Sequence, residues 1–167
     1  MQDFRNHSRQ KWHQHYQNQA EWTQHIRQFI FNTIQISSEA CILEIGSGTG
    51  VLLELISKQG NFRLFGVDLD YPSLSYCQSL YNGFLLTQAS GEHLPFPPSC
   101  FDLSFCHYLL MWNNHPEDIL CEMIRATRPE GWVLALAEPD YQARIDYPPP
   151  LDNLGSLQNQ SLQAQGA

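Results

Sequence analysis

The sequence predicts an α/β domain built around a parallel, doubly wound sheet. Short apolar runs alternate along the 167-residue chain with longer segments of helical character. A glycine-rich turn directly follows the first of these runs, and an aspartate ends the second. Such alternation places helices on both faces of a parallel sheet. The turn and the acid therefore fall at the carboxyl ends of adjacent strands, where open α/β sheets bind ligands.

The chain opens with a predicted amphipathic helix over residues 10–36. Its apolar positions recur at spacings of three and four, which is typical of a helix with one buried stripe. These positions are Trp12, Tyr16, Ala20, Thr23, Ile26, Ile30 and Ile34. We expect a separate helical segment, residues 1–39, in which Trp12, Tyr16 and Trp22 pack on the sheet or form a lid.

The rest of the chain has the order β-α-β-α-β-loop-β-α-β. The strands are predicted at residues 41–45, 62–67, 84–87, 103–106 and 132–138, and the helices at 51–60, 72–81 and 116–127. Prolines punctuate the long loop before the fourth strand, and the Pro-Glu-Gly triplet at 129–131 predicts a turn before the fifth. We expect the sheet domain to span residues 40–147 and residues 148–167 to form a polar tail or helix.

The composition of the chain argues against several classes of binding partner. The formal net charge is −8 with only nine Lys and Arg, which argues against nucleic acid and anionic membrane surfaces. The five cysteines form no Cys-x-x-Cys pair, and no window reaches 18 apolar residues, so we expect a cytoplasmic protein without a membrane span. His13 and His15, two residues apart on a helix, make a poor metal pair, and we expect no metal.

The glycine-rich turn is the motif that carries function. Residues 43–50 read Leu-Glu-Ile-Gly-Ser-Gly-Thr-Gly between a strand and a helix, where backbone can approach a ligand and free N–H groups can point outward. The third glycine falls one place earlier than in dinucleotide-binding enzymes. Glu44 would repel a pyrophosphate but attract a cation. We therefore expect a ligand with adenosine and a positive centre, and a nucleotide-binding dehydrogenase is disfavoured.

Asp68 stands 22 residues beyond Gly46, at the end of the second strand. A doubly wound domain places an acid there to accept hydrogen bonds from two ribose hydroxyls. The alternative is a turn or capping aspartate.

Four segments together resemble a class I S-adenosylmethionine-dependent methyltransferase of the small-molecule type, over residues 40–140. They are LEIGSGTG, GVDLD, ASGEHLPFPPSCFDLSFCHYLLMW and IRATRPEGWVLALAEPD, in the family's order. The resemblance implies a Rossmann-like sheet of order 3-2-1-4-5 and S-adenosylmethionine as cofactor, with S-adenosylhomocysteine as product. The family's sixth and seventh strands have no counterpart after Glu138, so we expect a shortened methyltransferase.

The resemblance also implies the residues that bind the cofactor. Carried over position by position, they are Glu44, Gly46, Ser47, Gly48, Gly50, Asp68, Leu69, Ser90, Gly91, Glu92 and Cys106. Ser90 stands where family members usually have the aspartate that contacts adenine, and a neutral hydroxyl accepts a hydrogen bond more weakly. Glu130 replaces the first glycine of the family's usual pair in the turn before the fifth strand.

His107, after the fourth strand, is the favoured catalytic candidate, although a packing role is the main alternative. The neighbouring candidates are Cys106, Tyr108, Glu138, Asp140 and Tyr141. The Phe-Cys-His-Tyr run at 105–108 matches neither signature of nucleic-acid methyltransferases, so the expected acceptor is an unidentified small molecule. A non-catalytic cofactor-binding or interaction module stays open as the alternative. The fifth strand is expected to be an edge that invites a homodimer.

Overall fold

The computed structural model describes residues 2–139 and, near the C-terminus, residues 155, 157, 158, 160, 161 and 164. Five strands form one parallel sheet of order β3-β2-β1-β4-β5. Their bounds are β1 Cys41–Ile45, β2 Arg63–Asp68, β3 Leu85–Gln88, β4 Phe101–His107 and β5 Thr127–Leu136. The predicted strand order is confirmed, and the described residues contain no sixth or seventh strand.

The helices are α1 Gln2–Trp22, α2 Gln24–Thr33, α3 Val51–Ser57, α4 Tyr71–Leu80 and α5 Pro116–Ala126, with a short 3₁₀ helix at Leu110–Trp112. The prediction of one continuous helix over residues 10–36 was wrong, because the chain breaks at Thr23. The Thr23 hydroxyl lies within 3.5 Å of the Gln19 carbonyl and 3.3 Å of the Ala20 carbonyl at the end of α1. A side chain that bonds the preceding turn in this way often bends a helix.

The buried stripe of the two N-terminal helices agrees with the prediction at Ala20, Thr23 and Ile34 and differs from it at Trp12 and Ile26. Trp12 and Ile26 are 49% and 56% exposed, whereas the polar residues His13 and Arg27 are 8% and 5% exposed. A periodicity that counts only apolar side chains misses stripe positions occupied by buried polar groups. Hydrogen bonding, rather than hydrophobicity alone, sets the orientation of these helices.

Two hydrophobic clusters hold the sheet between helical layers. Ile42, Leu103 and Phe105 pack with residues of α2 and α3 on one face. Residues of α5 and the proline-rich loop pack with Leu43 and Ile45 on the other face. The two-sided covering is the doubly wound arrangement that the element order predicts.

β5 begins at Thr127, earlier than predicted, and includes the expected Pro-Glu-Gly turn as an irregularity. Thr127 pairs with Phe101 and Trp132 pairs with Leu103, so the residues between them bulge outward. Glu130 has a φ of 63° within this bulge. Among the described strands β5 pairs only with β4, and the homodimer through this edge stays a prediction.

A clamp formed by Arg125 and Glu122 of α5 fixes the proline-rich loop. The Arg125 guanidinium donates to the carbonyls of Phe96 and Leu94, at 2.9 and 3.1 Å, and the Leu94 N–H donates to Glu122 at 2.7 Å. The two clamp residues also form an ion pair with each other at 2.5 Å. The loop is therefore attached to the helix through its backbone at three points.

In the part of the chain that the structure describes, no helix combines the length and apolarity needed to cross a membrane. Most of the predicted tail, residues 148–167, lies outside the described residues. The proposed boundaries after residues 39 and 147 and the cytoplasmic location stay predictions.

Candidate functional site

A cavity of about 390 Å³ opens at the carboxyl ends of β1, β2 and β4, beneath α1. This is the edge of the sheet where the sequence places the glycine-rich turn and Asp68. The residues that line the cavity are Trp12, His15, Tyr16, Gln19, Glu44, Gly46, Ser47, Gly48, Val51, Leu52, Asp68, His107, Tyr108, Leu109 and Trp112. Sequence and structure thus place the candidate site at the same edge.

The glycine-rich turn folds back onto β2. The N–H groups of Gly46 and Ser47 both donate to the Val67 carbonyl, at 2.8 and 3.0 Å. The Gly50 N–H donates to the Ser47 carbonyl at 2.8 Å. The expectation of free, outward N–H groups was wrong at these positions and at Gly48, because the turn uses them to hold its own shape. With these four donors committed, the turn is poorly suited to a phosphate.

Asp68 joins the turn to the end of β2. Its Oδ2 accepts a hydrogen bond from the Gly48 N–H at 2.7 Å, and its Oδ1 accepts one from the Asp70 N–H at 2.8 Å. Burial raises the pKa of the Asp68 carboxyl, and these two N–H groups oppose the rise. Each carboxylate oxygen can accept a further hydrogen bond, so Asp68 combines a structural role with capacity for a ligand.

Gly48 lies between Asp68 and the ring of Tyr16, and all three line the cavity. A Cβ atom at Gly48 would fall 3.9 Å from Asp68 Oδ2 and 3.5 Å from the Tyr16 ring. A side chain at position 48 would therefore occupy the gap between these two groups. The glycine keeps the gap open.

Glu44 lies beneath the turn with a carboxylate oxygen that has no partner. Oε2 is buried without a hydrogen bond, and so is the hydroxyl of Ser47. Burial raises the pKa of the Glu44 carboxyl well above its usual value, the nearby Asp68 raises it further, and Arg27 opposes the rise. The Ser47 hydroxyl packs under the turn against Gly66 of β2, where a Cβ would fall 2.7 Å from it. An unpaired buried polar group is costly, so the Glu44 oxygen indicates a missing polar partner, and a cationic group with N–H donors fits it.

His107 lies on the opposite side of the cavity, at the end of β4. Its Nε2 is 3.0 Å from the Thr23 hydroxyl. Burial, aided by the charge of Arg27, lowers the pKa of His107 to about 4. An imidazole with such a low pKa is uncharged at neutral pH but is a weak base. The neighbouring Tyr108 ring contacts it edge-on at 4.6 Å between centroids.

Six of the predicted cofactor-binding residues do not line the cavity: Gly50, Leu69, Ser90, Gly91, Glu92 and Cys106. Gly50 packs on α4, since a Cβ there would overlap the sulfur of Cys77. Gly91 packs on β1 near Ile45. Leu69 is 67% exposed just beyond Asp68. Their cofactor roles stay predictions.

Cys106 and Glu138 have structural partners. The Cys106 side chain is fully buried, its sulfur is 3.5 Å from Glu138, and burial raises the pKa of the thiol, with Glu138 adding to the rise. Glu138 accepts hydrogen bonds from the N–H groups of Leu109 and Leu110, at 2.9 and 3.0 Å. Both groups therefore have structural contacts, and their catalytic roles stay predictions. The other two candidates, Asp140 and Tyr141, lie outside the described residues.

Sequence reasoning missed the polar contacts that attach the N-terminal helices to the site. His13 Nδ1 is 2.9 Å from the hydroxyl of Thr49 in the glycine-rich turn, and Arg27 lies behind His107. His15, Gln19 and Trp112 were also not predicted to line the cavity. A histidine and an arginine at stripe positions of an amphipathic helix were the sequence signal that could have predicted these contacts.

The described residues contain no cluster that could hold a metal ion.

The sheet order, the turn between β1 and α3 and the acid ending β2 define a Rossmann-like nucleotide-binding protein of the class I methyltransferase type. A family model described as "Methyltransferase domain" matches residues 43–135. The chain belongs to this family, whose cofactor is S-adenosylmethionine.

Two relatives illustrate the similarity. The chain is 24% identical over 125 residues to a Malonyl-[acyl-carrier protein] O-methyltransferase of Marinomonas sp., covering 72% of this chain and 46% of the relative. It is 28% identical over 116 residues to a Ubiquinone/menaquinone biosynthesis C-methyltransferase UbiE of Neisseria meningitidis, covering 66% and 47%. The chain therefore spans about half the length of these curated relatives.

Solved structures show the same fold. An S-adenosylmethionine dependent methyltransferase from Mesorhizobium loti superposes with a TM-score of 0.55 at 20% identity, covering 62% of this chain and 50% of the other. The YcgJ protein from Bacillus subtilis gives 0.59 at 23% identity, covering 66% and 50%. At these identities the likeness concerns the fold alone.

Proposed function

We propose that this chain binds S-adenosylmethionine in the cavity and transfers its methyl group to a small, uncharged acceptor. The observation that carries the proposal is the unpartnered buried carboxylate oxygen of Glu44. Glu44 belongs to a cavity whose described lining contains two carboxylates and no Lys or Arg. A cationic adenosyl ligand satisfies this charge pattern, whereas a dinucleotide does not.

Different residues of the cavity would bind different parts of the cofactor. Glu44 would attract its positive end, since opposite charges attract strongly where water is excluded. Asp68 would accept hydrogen bonds from ribose hydroxyls through its remaining lone pairs. Gly46, Ser47 and Gly48 would supply close backbone contact along the middle of the ligand. Leu69, Ser90, Gly91 and Glu92 are proposed to flank the adenine.

When bound, S-adenosylmethionine would supply an activated methyl group on a sulfonium centre. The chain's own contribution is alignment and exclusion of water. Tyr16 of α1 and Trp112 of the 3₁₀ helix line the same cavity and would shield the reacting atoms. His107, with its low pKa, would orient the acceptor through a hydrogen bond rather than carry away a full proton.

The lining also indicates the kind of acceptor. Trp12, Tyr16, Tyr108 and Trp112 give the cavity an aromatic wall. A carboxylate-bearing acceptor, such as the malonyl group in the name of one relative, would meet Glu44 and Asp68 and no lining cation. A flat, uncharged acceptor packs on aromatic side chains without that repulsion. The non-catalytic alternative would share the cofactor site, and the family match does not favour it.

Titration calorimetry with S-adenosylhomocysteine tests the proposal. We expect wild-type protein to bind it, and Asp68→Asn to weaken binding by roughly 10- to 100-fold, the worth of a hydrogen bond to a charged group. Asp70→Asn is the matched control, because Asp70 pairs with Arg9 and does not line the cavity. Binding of NAD without binding of S-adenosylhomocysteine would contradict the proposal.

A further inference from the structure

Two residues of the N-terminal helices reach the catalytic candidate from behind the cavity wall. Thr23, at the break between α1 and α2, lies 3.0 Å from His107 Nε2. Arg27, one turn further along, donates to the Thr23 hydroxyl at 2.8 Å and to the Ala20 carbonyl at 3.0 Å. The three side chains form a continuous hydrogen-bonded row, which we call the Arg27 row. It links a helix to the end of β4, 84 positions along the chain from Thr23.

Arg27 is an unusual residue to bury. It is only 5% exposed, yet it forms no ion pair with any carboxylate in the described part of the chain. Burying a cation is costly, and the charge of Glu44 offsets only part of that cost, since burial still lowers the pKa of Arg27. Its guanidinium is instead committed to a carbonyl and a hydroxyl at the helix break. A cost of this kind suggests that the charge serves the site.

The groups around His107 show how the charge of Arg27 affects the protonation of the imidazole. Arg27 faces it from α2, and His15 and Tyr16 of α1 line the same cavity. Glu44 of β1, Asp68 of β2 and Tyr108 complete the titratable groups of the lining, and Glu138 lies beyond Leu109. Burial, the larger effect, and the charge of Arg27 both oppose a protonated imidazole. Together they lower the pKa of His107 to about 4.

We propose that Thr23 and Arg27 are positioning residues that hold His107 as an oriented, uncharged imidazole on the acceptor side of the cavity. The acceptor side is the side of the cavity on which His107 lies, and this name rests on the proposed methyl transfer. Thr23 engages Nε2, so Nδ1 is the nitrogen left for a ligand. An uncharged imidazole in a fixed tautomer offers that ligand one defined hydrogen bond. The break between α1 and α2 thus makes the N-terminal helices part of the site.

The experiment follows the ring signals of His107 by NMR on the full chain, with His107→Asn to assign them. In wild-type protein we expect the titration midpoint near 4, with one tautomer at neutral pH. Arg27→Met should raise the midpoint by roughly half a pH unit or more, and Arg27→Lys, which keeps the charge, should leave it low. Thr23→Val should produce a mixture of tautomers, and Thr23→Ser should restore the single form.

Thr33→Val is the matched control. The Thr33 hydroxyl donates to the Phe29 carbonyl of α2 at 2.8 Å, much as Thr23 bonds the preceding turn, but Thr33 does not contact His107. A wild-type midpoint near the ordinary histidine value would overturn the proposal. An unchanged midpoint in Arg27→Met would overturn it equally. If Arg27→Met does not fold, Arg27→Gln, which removes the charge but keeps a hydrogen-bond donor, takes its place: its midpoint should rise, and an unchanged midpoint would overturn the proposal. Binding of S-adenosylhomocysteine by the same samples is measured separately, so failure of the proposed function and failure of the Arg27 row are distinguishable.

Discussion

The two sides of the cavity are built in contrasting ways. The loop wall, Gly46 to Gly48 with Asp68, consists mainly of backbone whose N–H groups bond to β2. The helix wall, formed by Trp12, His15, Tyr16 and Gln19, consists of side chains from a single helix. The loop wall depends on backbone conformation, whereas the helix wall depends on polar contacts that attach the helices to the sheet.

The contrast between the loop wall and the helix wall predicts which substitutions the protein should tolerate. Backbone held by internal hydrogen bonds leaves little freedom for side chains, so substitutions in the glycine-rich turn, residues 46–50, should cost more than substitutions at exposed helix positions. An exposed helix position away from the attaching contacts should cost almost nothing. Three substitutions, two of them paired with a comparison substitution, test this view, and the three are given from the largest expected effect to the smallest.

Gly50→Ala should have the largest effect on stability. Gly50 has a φ of +77°, and a Cβ there would overlap the sulfur of Cys77. Backbone strain and overpacking together should lower the free energy of unfolding by about 3 kcal/mol. Denaturant unfolding measures this value.

Gly83→Ala is the control for Gly50→Ala. Gly83 has a φ of +94°, and nothing lies within 4 Å of the position that a Cβ would take, so only the backbone strain should remain. We expect a loss of about 1 kcal/mol. Equal losses at positions 50 and 83 would show that close packing on α4 does not matter.

Glu44→Gln should stabilise the ligand-free protein and weaken cofactor binding. Because burial raises the pKa of the Glu44 carboxyl, the stability of wild-type protein declines as pH rises above the ordinary glutamate value. The variant should therefore melt a few degrees higher at about pH 8, and this advantage should vanish near pH 4. Melting curves with and without S-adenosylhomocysteine separate the two effects. A variant that is less stable at both pH values would contradict the assignment.

Ile26→Ala should have the smallest effect. Although the periodicity places Ile26 in the buried stripe, it is 56% exposed, and its loss should change the free energy of unfolding by under about 0.5 kcal/mol. Phe31 of α2 is 8% exposed and meets Phe105 edge-on, so Phe31→Ala, the buried comparison on the same helix, should cost several times more than Ile26→Ala. Comparable losses at the two positions would mean that α2 packs differently.

The loop wall was predictable from the sequence because its signals are local. β1 has the predicted bounds, Cys41–Ile45, and Asp68 ends β2 as expected. Short apolar runs bounded by glycine and aspartate fix strand ends within a few residues. The number of free N–H groups was not predictable, because it depends on how the turn folds over β2.

The helix wall and β5 were predicted less well because tertiary contacts decide them. The break at Thr23 depends on hydrogen bonds to its own helix and to His107, which is remote in sequence. The early start of β5 depends on pairing between Thr127 and Phe101. His107 and Phe101 are far in sequence from Thr23 and Thr127, so a local sequence pattern predicts neither contact.

The attachment of the proline-rich loop to α5 by Arg125 and Glu122 has a thermodynamic consequence. These contacts restrain the loop at Leu94 and Phe96, a few residues after Ser90 and Gly91, before any ligand binds. Binding of a ligand beside this loop would therefore cost little conformational entropy of the loop. Association should then proceed at a rate set by encounter and dehydration, with a heat-capacity change that reflects the buried ligand surface rather than coupled folding.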